Sequence, residues 1–150
     1  MISKPLFYVH GNHDTIYLHH PPEGCDSIED TIVEYKGIRF LGLGGSMKYS
    51  GRAHQYTEKE MDKRIRKLKG VIHKHKGFDV LVTHAPAFGI GDGKDLCHQG
   101  FMSFNLLLDK YQPKFMLHGH MHLDYGRQQR IQTYNKTTIV NCFGYHIMDI

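Results

Sequence analysis

The 150-residue sequence predicts a mixed α/β fold in one domain spanning residues 1–150. Three observations carry that expectation. Short apolar runs at Pro5–His10, Phe78–Thr83 and Lys114–His118 read as buried strands. Stretches with helical spacing of apolar residues separate the second and third of these and precede the second. Each run then stops at a cluster of His, Asn, Thr or Gly, where open α/β sheets bind their ligands.

The elements follow in order. Pro5–His10 is a strand stopped by Gly11, and residues 15–29 hold Pro21, Pro22, Gly24 and Asp26, which read as loop. Thr31–Tyr35 and Ile38–Gly42 flank Lys36-Gly37 as a β-hairpin. Gly42, Gly44, Gly45, Ser50 and Gly51 mark a long flexible loop. Thr57-x-x-Glu60 is a capping-box signal, and Met61, Ile65, Leu68 and Ile72 form one apolar stripe along the helix it starts. The Lys and Arg residues between them read as a solvated face. After the Phe78–Thr83 strand and a Gly/Asp loop, Ser103 can cap a helix that turns Phe104, Leu107, Leu108 and Tyr111 inward and stops at Pro113. Lys114–His118 is the third buried strand, and the tail reads as strands over Gln129–Tyr134, Thr137–Cys142 and Tyr145–Ile150.

Composition narrows the function classes. No apolar run is long enough for a membrane span and no export signal is legible. Three widely spaced cysteines argue against a disulfide framework or a cysteine zinc site and suit a reducing, cytoplasmic setting. A net charge of +4 permits an anionic substrate and does not by itself indicate nucleic acid. The unusual count is thirteen histidines, the commonest metal ligand and a proton carrier near neutral pH.

Three clusters stand at strand ends: Gly11-Asn12-His13-Asp14, Thr83-His84-Ala85-Pro86 and Gly119-His120-Met121-His122. Imidazole nitrogens and a carboxamide oxygen suit Mn, Fe, Zn or Co rather than a thiolate-seeking metal. Gly11 and Gly119 let each chain turn sharply as its strand ends.

Together and in this order, the clusters resemble the later motifs of the calcineurin-like metallophosphoesterase superfamily, over roughly residues 6–146 and in a short prokaryotic form. The resemblance implies a four-layer αββα sandwich with two divalent transition-metal ions (Mn, Fe, Zn, Co or Ni) at one sheet edge. It implies Asn12, His84 and His120 as ligands of the second ion and His122 as a ligand of the first. It assigns proton donation or phosphoryl contact to His13, with Asp14 holding the His13 ring. The implied activity is hydrolysis of a phosphomonoester or phosphodiester by a metal-bound hydroxide. Asp95 and His98, in a Gly-rich loop that can reach the mouth of such a site, are the candidate substrate contacts. Arg127, beyond His122, is a further candidate partner for phosphate, with a surface role as the simpler reading.

The family's opening motifs, Asp-x-His and Gly-Asp-x-x-Asp, do not precede Gly11. Gly91-Asp92-Gly93-Lys94-Asp95 matches the second in letters but stands in the wrong order. The expectation is therefore an N-terminally incomplete sandwich, the C-terminal two-thirds of the fold, completed by an N-terminal segment, a partner chain or a second copy. Asn12, His84, His120 and His122 include no anionic ligand, so one weakly held ion is the most they promise alone. The leading expectation is a metal-dependent phosphoesterase. The alternative is a truncated, catalytically silent binding module or half of a split enzyme.

Overall fold

Four of the apolar segments in the sequence align side by side, and their pairing decides where the clusters lie. The computed structural model describes residues 4–123 and 129–150. In chain order the described strands are β1 (Phe7–Tyr8), β2 (Asp26–Ser27), β3 (Ile32–Tyr35), β4 (Ile38–Leu43), β5 (Ser46–Met47), β6 (Gln55–Tyr56), β7 (Val80–Thr83), β8 (Phe115–His118), β9 (Ile131–Tyr134) and β10 (Thr137–Asn141). The helices are α1 (Glu58–Lys67), α2 (Lys69–Lys74) and α3 (Met102–Tyr111). Six strands form one mixed sheet in the order β3-β4-β7-β8-β10-β9. Its four inner strands run parallel, and β3 and β9 close the two sides antiparallel. The fold is thus mixed α/β, as the sequence predicts.

Parallel register places Leu41, Leu81, Met116 and Ile139 in one row across the inner strands. All four are buried, and they share a core with Met61, Ile72, Phe104 and Leu108 from the three helices. Each such side chain stabilises the fold by roughly 1.5–3 kcal/mol. Residues next to the row face the other way, and there Phe7 packs on Phe40 with ring centroids 5.9 Å apart.

The local signals hold with instructive exceptions. Lys36 and Gly37 both take positive φ, 51° and 79°, the turn that matches the twist of a two-residue hairpin. The capping box forms in both directions between Thr57 and Glu60. The stripe Met61–Ile72 stays inward, but the helix divides at Leu68, whose N–H bonds back three residues to Ile65. Ser103 does not cap α3. The Glu58 carboxylate does, accepting from the N–H groups of Met102 and Ser103, where an anion meets the positive helix end.

Three expectations are corrected. The Pro5–His10 strand shortens to Phe7–Tyr8, which pairs in parallel with the two-residue strand β2. The supposed flexible loop after Gly42 contains the paired strands β5 and β6, and residues 41–47 are buried without exception. Tyr145–Ile150 forms no strand, and Tyr145 and Ile147 are exposed. No helix among the described residues is long and apolar enough to cross a membrane. Arg127 lies outside the described residues.

Arg39 pins the starts of β4 and β7 together. Its Nε and Nη2 donate to the two Asp79 carboxylate oxygens at 2.9 and 2.7 Å, and its Nη1 donates to the carbonyls of His75 and Lys76 at the end of α2. That ion pair holds the Asp79 carboxyl below, and the Arg39 guanidinium above, their ordinary pKa values. Hydrogen bonds to charged groups are worth more than neutral ones, so Arg39→Ala should destabilise the fold by about 2 kcal/mol in urea denaturation. An unchanged unfolding midpoint would refute this account of the sheet's edge.

Candidate metal centre

The first cluster reaches the sheet through a carboxylate staple. Glu29 accepts from the His10 N–H at 2.6 Å and the Gly44 N–H at 3.0 Å, and the Arg64 guanidinium bonds it at 2.9 Å. The His10 carbonyl accepts from Gly45 at 2.8 Å. Residue 10 is thereby fastened to the chain leaving β4. A Cβ on Gly44 would overlap both the Glu29 carboxylate and the His10 carbonyl, so only glycine permits the approach.

The second and third clusters are aligned by β7 and β8. Their pairing continues one step past the strands, where the Gly119 N–H donates to the His84 carbonyl at 3.0 Å. His120 then takes a left-handed conformation, φ 64°, which turns its ring back over His84. The sharp turn sits at His120, not at Gly119. A left-handed residue with a side chain is disfavoured, and the ring's two hydrogen bonds hold it there. Gly11 also serves differently than expected: a Cβ there would come within 2.9 Å of the His84 ring.

The outcome is a convergence of three ligand-type atoms. His84 Nε2 lies 2.9 Å from Asn12 Oδ1 and 3.0 Å from His120 Nδ1. His120 Nε2–H donates to the Cys97 carbonyl at 2.6 Å, which leaves His120 Nδ1 with a lone pair facing the cluster. Asn12 is buried, and its Nδ2 donates to the Tyr49 hydroxyl at 2.9 Å and approaches His13 Nε2 at 3.3 Å. Burial and the adjacent His120 push the His84 imidazole down to about 4. His118 and His120 are also shifted down, chiefly by burial. Neutral imidazoles are the form that binds metals.

The remaining candidates divide. His13 is exposed beside Asn12. Asp14 does not hold the His13 ring as expected. Its Oδ2 accepts from the Gly11 N–H at 2.6 Å, three residues back, because the chain folds into a short 3₁₀ turn directly after it. His122 does not join the three converging residues: it is exposed and stacks on Phe143 at 4.4 Å. Asp95, Cys97 and His98 make a separate group, with Asp95 Oδ2 bonded to Cys97 Sγ at 2.7 Å and His98 Nδ1 at 2.6 Å. This turn meets the centre through the Cys97 carbonyl and the tilted packing of the His98 ring on His120, centroids 5.2 Å apart. Asp92 accepts from the Gly100 N–H and braces its own loop. Tyr49 and the Cys97 carbonyl escape sequence reading: one is a tyrosine in a Gly/Ser-rich stretch, the other a backbone atom.

The donor set fits one borderline divalent ion, with two imidazole nitrogens and one carboxamide oxygen already gathered. It does not fit two. Among the described residues His122 stands apart and no carboxylate joins the three donors. A cavity of about 660 Å³ lies elsewhere, lined by Lys69, Ile72, His73, Lys76, Gly77, Lys110 and Tyr111 near the N-terminal ends of β7 and β8. It gathers cations but no converging donor atoms, so the histidine cluster is the candidate site.

No family model and no curated protein matches the chain. Solved structures do. One is similar over 91% of this chain and 56% of its own, with a TM-score of 0.65 and 16% identity. TT1561 of Thermus thermophilus is similar over 91% of this chain and 62% of its own, with a TM-score of 0.60 and 19% identity. At these identities the likeness concerns the fold. The chain spans about three-fifths of each neighbour's length.

The depressed His84 pKa sets a pH dependence. The unfolded chain binds that proton near the ordinary 6.5 and the folded chain only near 4, so the folded state holds fewer protons between those values. Stability therefore rises with pH across that window, is lost as pH falls through it, and levels off below about 4. The His84 contribution is about 3 kcal/mol. Urea denaturation in a chelator at pH 7 and pH 4 should show this loss in the wild type and a smaller one in His84→Gln. Equal losses would remove His84 as the source.

Proposed function

We propose that this protein is a metal-dependent phosphoesterase whose chain holds one divalent ion through Asn12 Oδ1, His84 Nε2 and His120 Nδ1. The observation that carries the proposal is that Asn12 Oδ1 and His120 Nδ1, from two other segments, lie 2.9 and 3.0 Å from His84 Nε2. Two of them follow parallel strands and the third follows the fastened residue-10 segment. The order of the motifs, Gly-Asn-His-Asp, then a lone His, then Gly-His-x-His, supplies the reaction class by resemblance to calcineurin-like metallophosphoesterases.

All three ligands are neutral, so a bound ion keeps its full charge toward an incoming group, which favours an anion such as a phosphate ester. A divalent ion in such a site supplies Lewis-acid stabilisation of charge on phosphoryl oxygens. The protein's own part is to bind and to move a proton. His13 stands exposed next to Asn12, and in its protonated form it gives a proton to the departing alkoxide oxygen. Asp14, bonded to the Gly11 N–H, shapes the turn that carries His13. His98 lies beside His120 and is bonded by Asp95 on the turn that holds the His120 ring, which makes both candidates for substrate contact rather than for proton transfer.

The test uses purified, tag-free protein with Mn²⁺, against p-nitrophenyl phosphate and its bis ester. Expected are metal-dependent turnover, its loss in His84→Ala and His120→Ala, and a fall of about 10²-fold in kcat for His13→Gln with metal binding retained. A protein that binds one ion yet turns over neither ester is the silent binding module, the reading that the separate position of His122 favours. Absence of metal binding by calorimetry overturns both.

A further inference from the structure

We infer that Tyr49 is a positioning residue of the metal centre, a role resting on the reading of Asn12, His84 and His120 as ligands. Its hydroxyl oxygen accepts from Asn12 Nδ2 at 2.9 Å. A carboxamide has two ends of similar shape, and only the oxygen can bind a cation. Two acceptors, the Tyr49 hydroxyl and His13 Nε2, face Nδ2, so Oδ1 is left turned toward His84 Nε2 at 2.9 Å. His13 is exposed and its contact is the longer, at 3.3 Å, so the Tyr49 bond is the one that holds the carboxamide plane.

The loop around Tyr49 is built to keep that hydroxyl in place. Gln55 is buried at the start of β6, and its Oε1 accepts from the Tyr49 N–H, the Ser50 N–H and the Ser50 hydroxyl at 3.3, 2.9 and 3.0 Å. The Lys48 N–H bonds the Tyr56 carbonyl at 2.9 Å on the other side of the turn. One side-chain oxygen thus gathers the backbone on both sides of Tyr49. The tyrosine itself is 40% exposed, so hydrophobic burial gives little reason for its position. What its hydroxyl does is orient a ligand, as groups hydrogen-bonded behind metal ligands do.

The test is a double-mutant cycle read by Co²⁺ titration, following the visible absorption of the bound ion rather than turnover. Wild type, Tyr49→Phe, Asn12→Ala, the Asn12→Ala/Tyr49→Phe double variant and His84→Ala are compared, with circular-dichroism melts in chelator to show that each is folded. Tyr49→Phe should weaken Co²⁺ binding by about tenfold. In the Asn12→Ala background the same change should cost nothing further, because no carboxamide remains to orient. A Tyr49→Phe affinity equal to wild type, or an equal loss in both backgrounds, overturns the positioning role. If wild type and His84→Ala bind Co²⁺ alike, the metal centre itself fails and the Tyr49 role falls with it.

Discussion

Parallel pairing of β7 with β8 is the constraint on which the candidate site rests. Leu81 stands level with Met116 and Val82 with Leu117, and the ladder runs on until the Gly119 N–H meets the His84 carbonyl. Side chains alternate with a period of two, so a one-residue slip would send the buried row to the wrong face and part the two histidines. The same interaction therefore serves packing and chemistry. Leu81 and Met116 are fully buried in the core, and three residues past Leu81 is His84.

Around that pairing the molecule accepts locally unfavourable arrangements. His120 adopts a left-handed backbone, and its ring is anchored by a carbonyl from the loop after β7. Burial pushes the His84 imidazole down to about 4 and also shifts His120 down. Asn12 is buried with both ends of its carboxamide engaged, which is what a buried polar group requires. Such a network is demanding in a low-dielectric setting, and its members, Asn12, Tyr49, His84, Cys97 and His120, come from five separate segments. Glu29 and Arg64 do comparable work on the far side, fastening residue 10 to the end of β4 so that Asn12 arrives at the same edge.

Much of this is legible in the sequence, for definable reasons. The inner strands can be read because fully buried strands are short apolar runs, and the hairpin because Lys36-Gly37 accepts two positive φ values. The capping box at Thr57 and Glu60 is a local code and forms as written. Where partners are distant, reading fails. Pro5–His10 has the apolar content of a strand, yet a strand also needs a neighbour, and among the described residues the strand paired with it, β2, is two residues long. Tyr145–Ile150 has similar apolar content and pairs with nothing among the described residues. Ser103 has the right chemistry for a cap, but Glu58 from another helix competes better with a full charge.

The sequence by itself determined the mixed α/β class, the ends of the inner strands and the residue types waiting at those ends. Those depend on hydrophobic pattern and local backbone chemistry, which neighbours in the chain largely set. Tertiary structure decided which candidates meet. It brought Asn12, His84 and His120 together, left His122 against Phe143, and turned Asp14 toward Gly11. It also recruited Tyr49 and the Cys97 carbonyl, for which no sequence pattern exists. A metal site is a condition on distances between atoms far apart in the chain, and only the register of the folded sheet settles those distances.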